Sequence, residues 1–430
     1  MAAVEAVLVG AGNRGRYVFG RYALRRPERL RIVAVAEPVD ERREAFAAEH
    51  GIPASRRFAD WRDLLDAKTG APVAIVATSD TLHVETALAA FARGHHVLLE
   101  KPIAPTPAEC VQVVLAAEAS GRLLQIGHVL RYTAFYEGVQ AVLASGVLGD
   151  LLTIDMKEHV AYWHMTHSYV RGKFRNRAIA APLLLAKTCH DMDLLVWFAG
   201  RAPARVASFG SLLHFRPEGA PPGATARCTD GCPAQARCPH DAEKFYLAPD
   251  ERLARLWPWT DVSPDPSREA RRRALETGPY GRCVYRCDND AVDHQVLAIE
   301  FEGGLTATFT VHGSASDERR TIRITGTRGE LRGVLHDGLL EITRHGEAGT
   351  ERIDIRGPGV LGHFGGDEGL LHHFTDVVAR EAHAEARTSG RISLDSHLLG
   401  FAAERARETG TVVDCRAFRA EVDRAPRGSP

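Results

Sequence analysis

Apolar and polar positions alternate in blocks along the first third of the chain. Val4 to Val9 is apolar apart from Glu5, and Arg31 to Ala36 is a second run, with a helical stretch from Arg16 to about Arg25 between them. Val73 to Ala77 is continuously apolar, the pattern of a strand buried on both faces. Val97 to Leu99 and Leu123 to Gly127 repeat it. The intervening segments Asp40 to His50, Trp61 to Ala67, His83 to Arg93 and Thr106 to Ala119 read as helices. Strands alternating with helices over residues 1–127 predict a doubly wound, Rossmann-type parallel sheet, an α/β domain.

Beyond residue 128 the texture changes to that of an α+β domain, expected over 128–420. Tyr132 to Ala144 reads as a helix, Leu151 to His159 as a strand, and Leu183 to Phe198 contains an apolar helix. Ala204 to Phe215 is a strand, and Asp293 to Phe301, Leu305 to His312, Arg320 to Thr325 and Gly329 to Leu335 follow as antiparallel strands with Gly turns. Helices return at Asp367 to Arg380 and Asp395 to Glu408. A Pro-, Gly- and Cys-rich insert spans about 217–287, and a disordered tail is expected from Glu421 to Pro430.

Composition narrows the partners. Lys plus Arg is 54 and Asp plus Glu 55, a net charge of −1, so no global basic field is available to hold nucleic acid. The stretch Arg268 to Arg273 is expected to be a solvated helix face. The apolar runs fall short of the ~18 residues a membrane span needs. No basic segment precedes the first strand, so the expectation is a cytoplasmic protein without a signal peptide.

The chemistry gathers where the early strands end. Gly10-Ala11-Gly12-Asn13-Arg14-Gly15 is a G-x-G-x-x-G loop between a strand and a helix. In that setting Gly10 permits the turn, Gly12 admits a pyrophosphate to the backbone, and Gly15 lets the helix sit close on the strand. Glu37, at the end of the second strand, is placed to accept hydrogen bonds from an adenosine ribose and to disfavour a 2′-phosphate, which predicts NAD over NADP. Arg42, about one helical turn on, is the residue that would favour the phosphate. Thr78-Ser79-Asp80 and Glu100-Lys101-Pro102 end two further strands at the same edge, where open α/β sheets bind ligands.

Five of the eight cysteines lie between Cys228 and Cys287, as Cys228-x3-Cys232-x5-Cys238 and Cys283-x3-Cys287. Four thiolates converging on one ion suit structural zinc, which would fold a loop too polar to pack alone. His240 is a further candidate ligand, and free thiols are the alternative.

The glycine loop, Ala36-Glu37-Pro38, Thr78 to His83, Glu100-Lys101-Pro102 and the later His190 with Asp193 resemble the Gfo/Idh/MocA family of NAD(P)-dependent oxidoreductases. The resemblance implies a Rossmann domain followed by an α+β domain whose large, mainly antiparallel open sheet mediates homo-oligomers, dimers or tetramers. It implies oxidation or reduction of a carbohydrate or polyol, with Asn13, Arg14, Thr78, Asp80, His83 and Glu100 beside the glycines and Glu37 at the cofactor. Lys101 and His190 would be catalytic. The family's dyad carries an Asp four residues before the His, where this chain has Ala186. Lys187 is the neighbouring candidate for acid or base, or alternatively a salt-bridge partner of Asp191 or Asp193. His128, Arg131, His159, His164, Tyr169 and Arg171 are candidates for a polyhydroxylated substrate's pocket. Two other readings stay open, an NAD-dependent glycosidase or lyase that oxidises a ring hydroxyl transiently and a non-enzymatic NAD-sensing regulator.

Overall fold

The computed structural model describes residues 2–355 and 363–425. Six strands form the first sheet: β1 (Val4–Val9), β2 (Leu30–Ala36), β3 (Arg57–Phe58), β4 (Val73–Val76), β5 (His96–Leu99) and β6 (Leu124–Ile126). All pair in parallel, in the order β3-β2-β1-β4-β5-β6. The chain reverses direction across the sheet between β1 and β4, and that switch point opens a crevice at the strands' carboxyl ends. Every residue of β4 and β5 is buried, as helices on both faces require. Local signals set the helix ends: for Pro107–Ser120, Thr106 accepts a hydrogen bond from the Glu109 N–H and Gly121 ends the helix at φ +64°.

The second sheet has nine strands: β7 (Leu151–Ala161), β8 (Pro203–Ser211), β9 (His294–Phe301), β10 (Thr306–Ala315), β11 (Arg319–Gly326), β12 (Gly329–Val334), β13 (Leu339–Arg344), β14 (Glu351–Asp354) and β15 (Val413–Asp414). Their order is β14-β13-β12-β11-β7-β10-β9-β8-β15, and only the β7–β10 pairing is parallel. β10 and β11 are consecutive in sequence, yet β7 lies between them. β14 is four residues long and polar, which hides it from a hydrophobic-pattern reading, whereas β13 buries Leu340 and Ile342 in alternation. Helices, among them Cys189–Ala199 and Gly390–Thr409, pack on one face. The other is open, so β9 alternates exposed and buried positions along nearly its whole length.

Three expectations need correction. Helix Gly390–Thr409 begins before Asp395, because the Ser389 side chain accepts from the Ile392 N–H and caps it there. The final helix, Cys415–Arg424, takes in Glu421 to Arg424, anchoring Phe418 and Val422 in the core, so the tail is ordered past Glu421; residues 426–430 lie outside the described residues. Arg271, within the Arg-rich stretch, is 1% exposed and donates to the carbonyls of Tyr246, Pro249 and Pro266. Among the described residues no helix is long and apolar enough to cross a membrane.

Late in the chain, helix Gly366–Ala379 returns to the first sheet. Leu370, Leu371, Phe374 and Val377 share a buried cluster with Ala6, Leu8, Phe19 and Tyr22. Phe374→Ala should therefore destabilise the nucleotide-side unit by about 3–5 kcal/mol, read as a lower denaturation midpoint. An unchanged midpoint would contradict this packing role.

Candidate active site

The glycine loop is built by close approaches. Gly10 has φ +92°, and a Cβ there would sit 2.6 Å from the Ala77 carbonyl oxygen. A Cβ on Gly15 would meet the Gly10 oxygen at 1.9 Å, whereas one on Gly12 would meet nothing within 4 Å. Gly10 and Gly15 are thus fixed by the protein's own backbone. Gly12 keeps a cradle clear for a ligand, which fits a dinucleotide phosphate. Glu37 is buried at the tip of β2, with Oε2 accepting from the Ala11 N–H (2.9 Å) and Oε1 from the Val39 N–H (3.1 Å). The carboxylate is thereby tied to the glycine loop itself, and each oxygen keeps capacity for a further hydrogen bond.

The other nucleotide-side candidates divide. Asn13 lies in the loop and Thr78 is half-buried at the crevice. Asp80 is buried and accepts from the Ala181 N–H at 3.4 Å. The Arg14 guanidinium is committed to protein, donating to Glu100 and, at 2.8 Å, to Asp367. His83 is wholly buried, with Nδ1 2.7 Å from the Pro102 carbonyl oxygen. It buttresses the Glu100-Lys101-Pro102 turn from behind.

At that turn Lys101 Nζ donates to the Ala186 carbonyl oxygen at 2.6 Å. Helix Cys189–Ala199 brings in His190, 4% exposed, whose Nδ1 has no hydrogen-bond partner. Burial, and next the charge of Lys101, hold the His190 imidazole far below its usual pKa, so it is neutral at physiological pH. His128 is wholly buried with both ring nitrogens unpartnered, edge-on to His190 with centroids 5.7 Å apart. His363 stands at the same distance on another side. The sequence pointed to His128 and His190 but not to His363, which sits far along the chain beside no motif.

Below them lies a buried charge network that the motifs did not disclose. Lys187 Nζ is 3.2 Å from Glu158 and 3.7 Å from Glu318, not paired with Asp191 or Asp193 as anticipated. Arg320 bridges Glu158 (2.7 Å) and Asp191 (2.9 Å). His164 Nδ1 is 2.6 Å from Glu318, and the buried Tyr169 ring packs 6.0 Å from His164. Glu158 was detectable in principle, since it shares its strand parity with the buried Ile154, Met156 and Val160.

Three residues expected at the substrate lie elsewhere. Arg131 is 5% exposed and grips Asp193 with two hydrogen bonds of 2.5 and 2.8 Å. Arg171 is 2% exposed and donates to the carbonyls of Arg282 and His240 and, at 3.7 Å, to Cys228 Sγ, all in the insert. His159 points to the open face of the second sheet, where Nδ1 is 3.0 Å from His312. The strand's two-residue period puts it opposite Glu158.

In the insert, Cys228, Cys232, Cys238 and Cys283 line one cavity of about 20 Å³. The fifth candidate, Cys287, lies outside that lining and donates to the Cys283 carbonyl oxygen (3.4 Å). Among the described residues only His128, Cys189 and His190 bring three potential ligand atoms within 4.8 Å of one another.

Comparison with known proteins places this geometry. Residues 4–128 match the profile described as "Oxidoreductase family, NAD-binding Rossmann fold", and residues 140–413 match "Oxidoreductase family, C-terminal alpha/beta domain". The Bacillus subtilis protein YteT is 23% identical over 263 residues, 60% of this chain and 59% of its own length. The inositol 2-dehydrogenase of Streptomyces avermitilis is 34% identical over 172 residues, 40% of this chain and 46% of the relative. The chain thus spans about half the length of the curated relatives it matches. Among solved structures, a levoglucosan dehydrogenase in complex with NADH and levoglucosan superimposes with a TM-score of 0.71 at 17% identity. That match covers 96% of this chain and 99% of the other, and it shows the shared fold.

Two outcomes follow from the buried charges. Arg131→Ala strands Asp193 without its partner and should cost about 3–5 kcal/mol of stability; a substrate-binding Arg131 would instead raise KM and leave unfolding untouched. Burial also holds His96, His164 and His240 at about 4 and His397 at about 3. Above pH ~6.5 neither folded nor unfolded chain protonates them. As pH falls from there to 4 the unfolded chain binds protons that the native state refuses, so these four groups withdraw stability. Glu158, lifted to about 7 by burial, works the other way between pH 7 and 4.5, one group against four. Calorimetric Tm should fall from pH 6.5 to 4, and a rise across that window would contradict the assignment.

Proposed function

Because the chain belongs to the Gfo/Idh/MocA oxidoreductase family, we propose that it transfers hydride between NAD and a secondary hydroxyl of a sugar, inositol or sugar derivative. The observation carrying this reading is a neutral His190, its Nδ1 without a hydrogen-bond partner, within the electrostatic reach of Lys101 at the carboxyl edge of the nucleotide-side sheet. NAD, when bound, supplies the hydride acceptor or donor. The loop Gly10 to Gly15, Glu37, Thr78 and Asp80 would hold it.

The residues then divide the proton work. One Lys101 N–H is spent on the Ala186 carbonyl, leaving two for a substrate oxygen. A hydroxyl placed between Lys101 and His190 loses its proton to the imidazole, while Lys101 stabilises the negative charge left on oxygen. A group that accepts and passes on a proton suits an enzyme more than a sensor. His128, His164 and Tyr169 would supply hydrogen-bonding groups of the kind a polyol needs. The relatives named for inositol and levoglucosan support that substrate class.

The assembly we propose is a cytoplasmic homo-oligomer, dimer or tetramer, closed through the open face of the second sheet. There the cross-strand neighbours Phe209 and Val296 are 69% and 41% exposed.

The test is a screen of free sugars, uronates, inositols and glycosides that follows NADH alongside product. NADH should change in proportion to product; glycoside cleavage with no net NADH would replace this reading with the redox-cycling one. Lys101→Ala should lose about 10²–10⁴-fold in rate while the Kd for NAD stays put. Full activity in that variant removes Lys101 from the mechanism. NAD should also bind more tightly than NADP, because Glu37 occupies the ribose end of the crevice; the reverse order in titration would refute that role.

A further inference from the structure

The insert has too little core to hold itself together. Its own buried apolar cluster consists of Cys228, Ala242, Tyr246, Leu247, Leu275 and Tyr280. Small units of this kind need a staple. The four cysteines around the cavity arrive from separate turns of the insert and share its lining.

Each of the four sulfurs has donors beside it that offset part of the cost of burying a thiolate. The sulfurs of Cys232, Cys238 and Cys283 each face the backbone N–H two residues on, at Ala234, His240 and Tyr285. Cys228 receives the Ala242 N–H and, at 3.7 Å, the buried Arg171 guanidinium. Cys287 differs: its thiol donates to a carbonyl, the role of a protonated sulfur. Amide donors around thiolates are the outer-shell support that metal ligands receive.

We propose that Cys228, Cys232, Cys238 and Cys283 hold one zinc ion, that Cys287 takes no part, and that Arg171 offsets the site's negative charge. The cavity, about 20 Å³, admits one water-sized body, which suits a single ion. A tetrahedral zinc with bonds near 2.3 Å sets sulfurs roughly 3.8 Å apart. The thiols stand wider than that here, since no three fall within 4.8 Å of one another, and side-chain rotation at the half-buried Cys232, Cys238 and Cys283 closes them on the ion. The ion's effect reaches the active-site wall. Arg171 ends the turn Met165–Arg171, whose His167 stacks on Tyr280 at 4.7 Å, and just before it Trp163 stacks on Phe245 at 5.6 Å. A clamped insert thereby fixes the segment that carries His164 and Tyr169.

The experiment uses the full chain as purified. Elemental analysis should find about one zinc per chain, and X-ray absorption should show four sulfur neighbours near 2.3 Å. Cys238→Ser and Cys283→Ser should lose the zinc, while Cys287→Ser keeps it. Stripping the ion should raise hydrogen exchange across Ala242–Leu247 and Arg268–Thr277. Metal-free protein with five titratable insert thiols, disulfides, bound iron with visible charge-transfer absorption, a nitrogen ligand in the first shell, or zinc loss in Cys287→Ser would each overturn the proposal. None of these readouts depends on turnover, so failure of the hydride-transfer reading remains a separate result.

Discussion

A short helix carrying His190, Asp191 and Asp193 in its first turns, all buried, can exist only if each charge meets its opposite. Asp191 meets Arg320, and Asp193 meets Arg131. Removing a carboxylate from water costs several kcal/mol unless a cation and good geometry repay it. The two arginines therefore do more than balance charge: they fix where the helix lies. Arg131 follows the last strand of the nucleotide sheet, and Arg320 belongs to the second sheet. His190 is held between the two domains by salt bridges of its neighbours Asp191 and Asp193.

The same logic ties the cofactor loop to the rest of the molecule. Arg14, inside the glycine motif, reaches Glu100 beside Lys101 and Asp367 on the returning helix. Arg14 holds the Asp367 carboxyl well below its usual range despite burial. Three segments remote in sequence, the glycine loop, the lysine turn and the helix Gly366–Ala379, thus share one guanidinium. Any shift of the loop would be felt at Lys101, so the loop and the lysine turn are built as one.

What could be read from the sequence follows from the range of each constraint. The parallel sheet, the glycine loop, Glu37, Lys101 and His190 were legible because period, turn chemistry and motif act within a few residues. Strand parity was legible too, but reading His159 as a pocket residue ignored it, and Glu158 next door was overlooked for the same reason. Arg131 and Arg171 were misread because an arginine among aromatics looks alike whether it awaits a substrate or grips a buried partner. The partners lie 62 residues away at Asp193 and 111 away at Arg282. Lys187 met Glu158 and Glu318 across strands that no local pattern brings together. The polar strand β14 lacks the apolar alternation that identified the others, whereas β13 has it at Leu340 and Ile342 and was overlooked.

The alanine at position 186 shows how the site tolerates the loss of a carboxylate. A carboxylate there would neutralise Lys101 as well as orient it. A peptide carbonyl orients it without neutralising it, so the ammonium's field reaches His190 and is, after burial, the strongest influence keeping that ring unprotonated. Negative charge in the neighbourhood sits instead on Glu318 and Asp191, where Lys187 and Arg320 meet it. The arrangement separates two duties that one dyad carboxylate would combine. A neutral imidazole and an uncompensated ammonium face the space where a substrate hydroxyl would sit, and the anions stay behind as structure. Lys187, one residue from Ala186, is then a strut of that foundation, and the proposed proton transfer falls to Lys101 with His190.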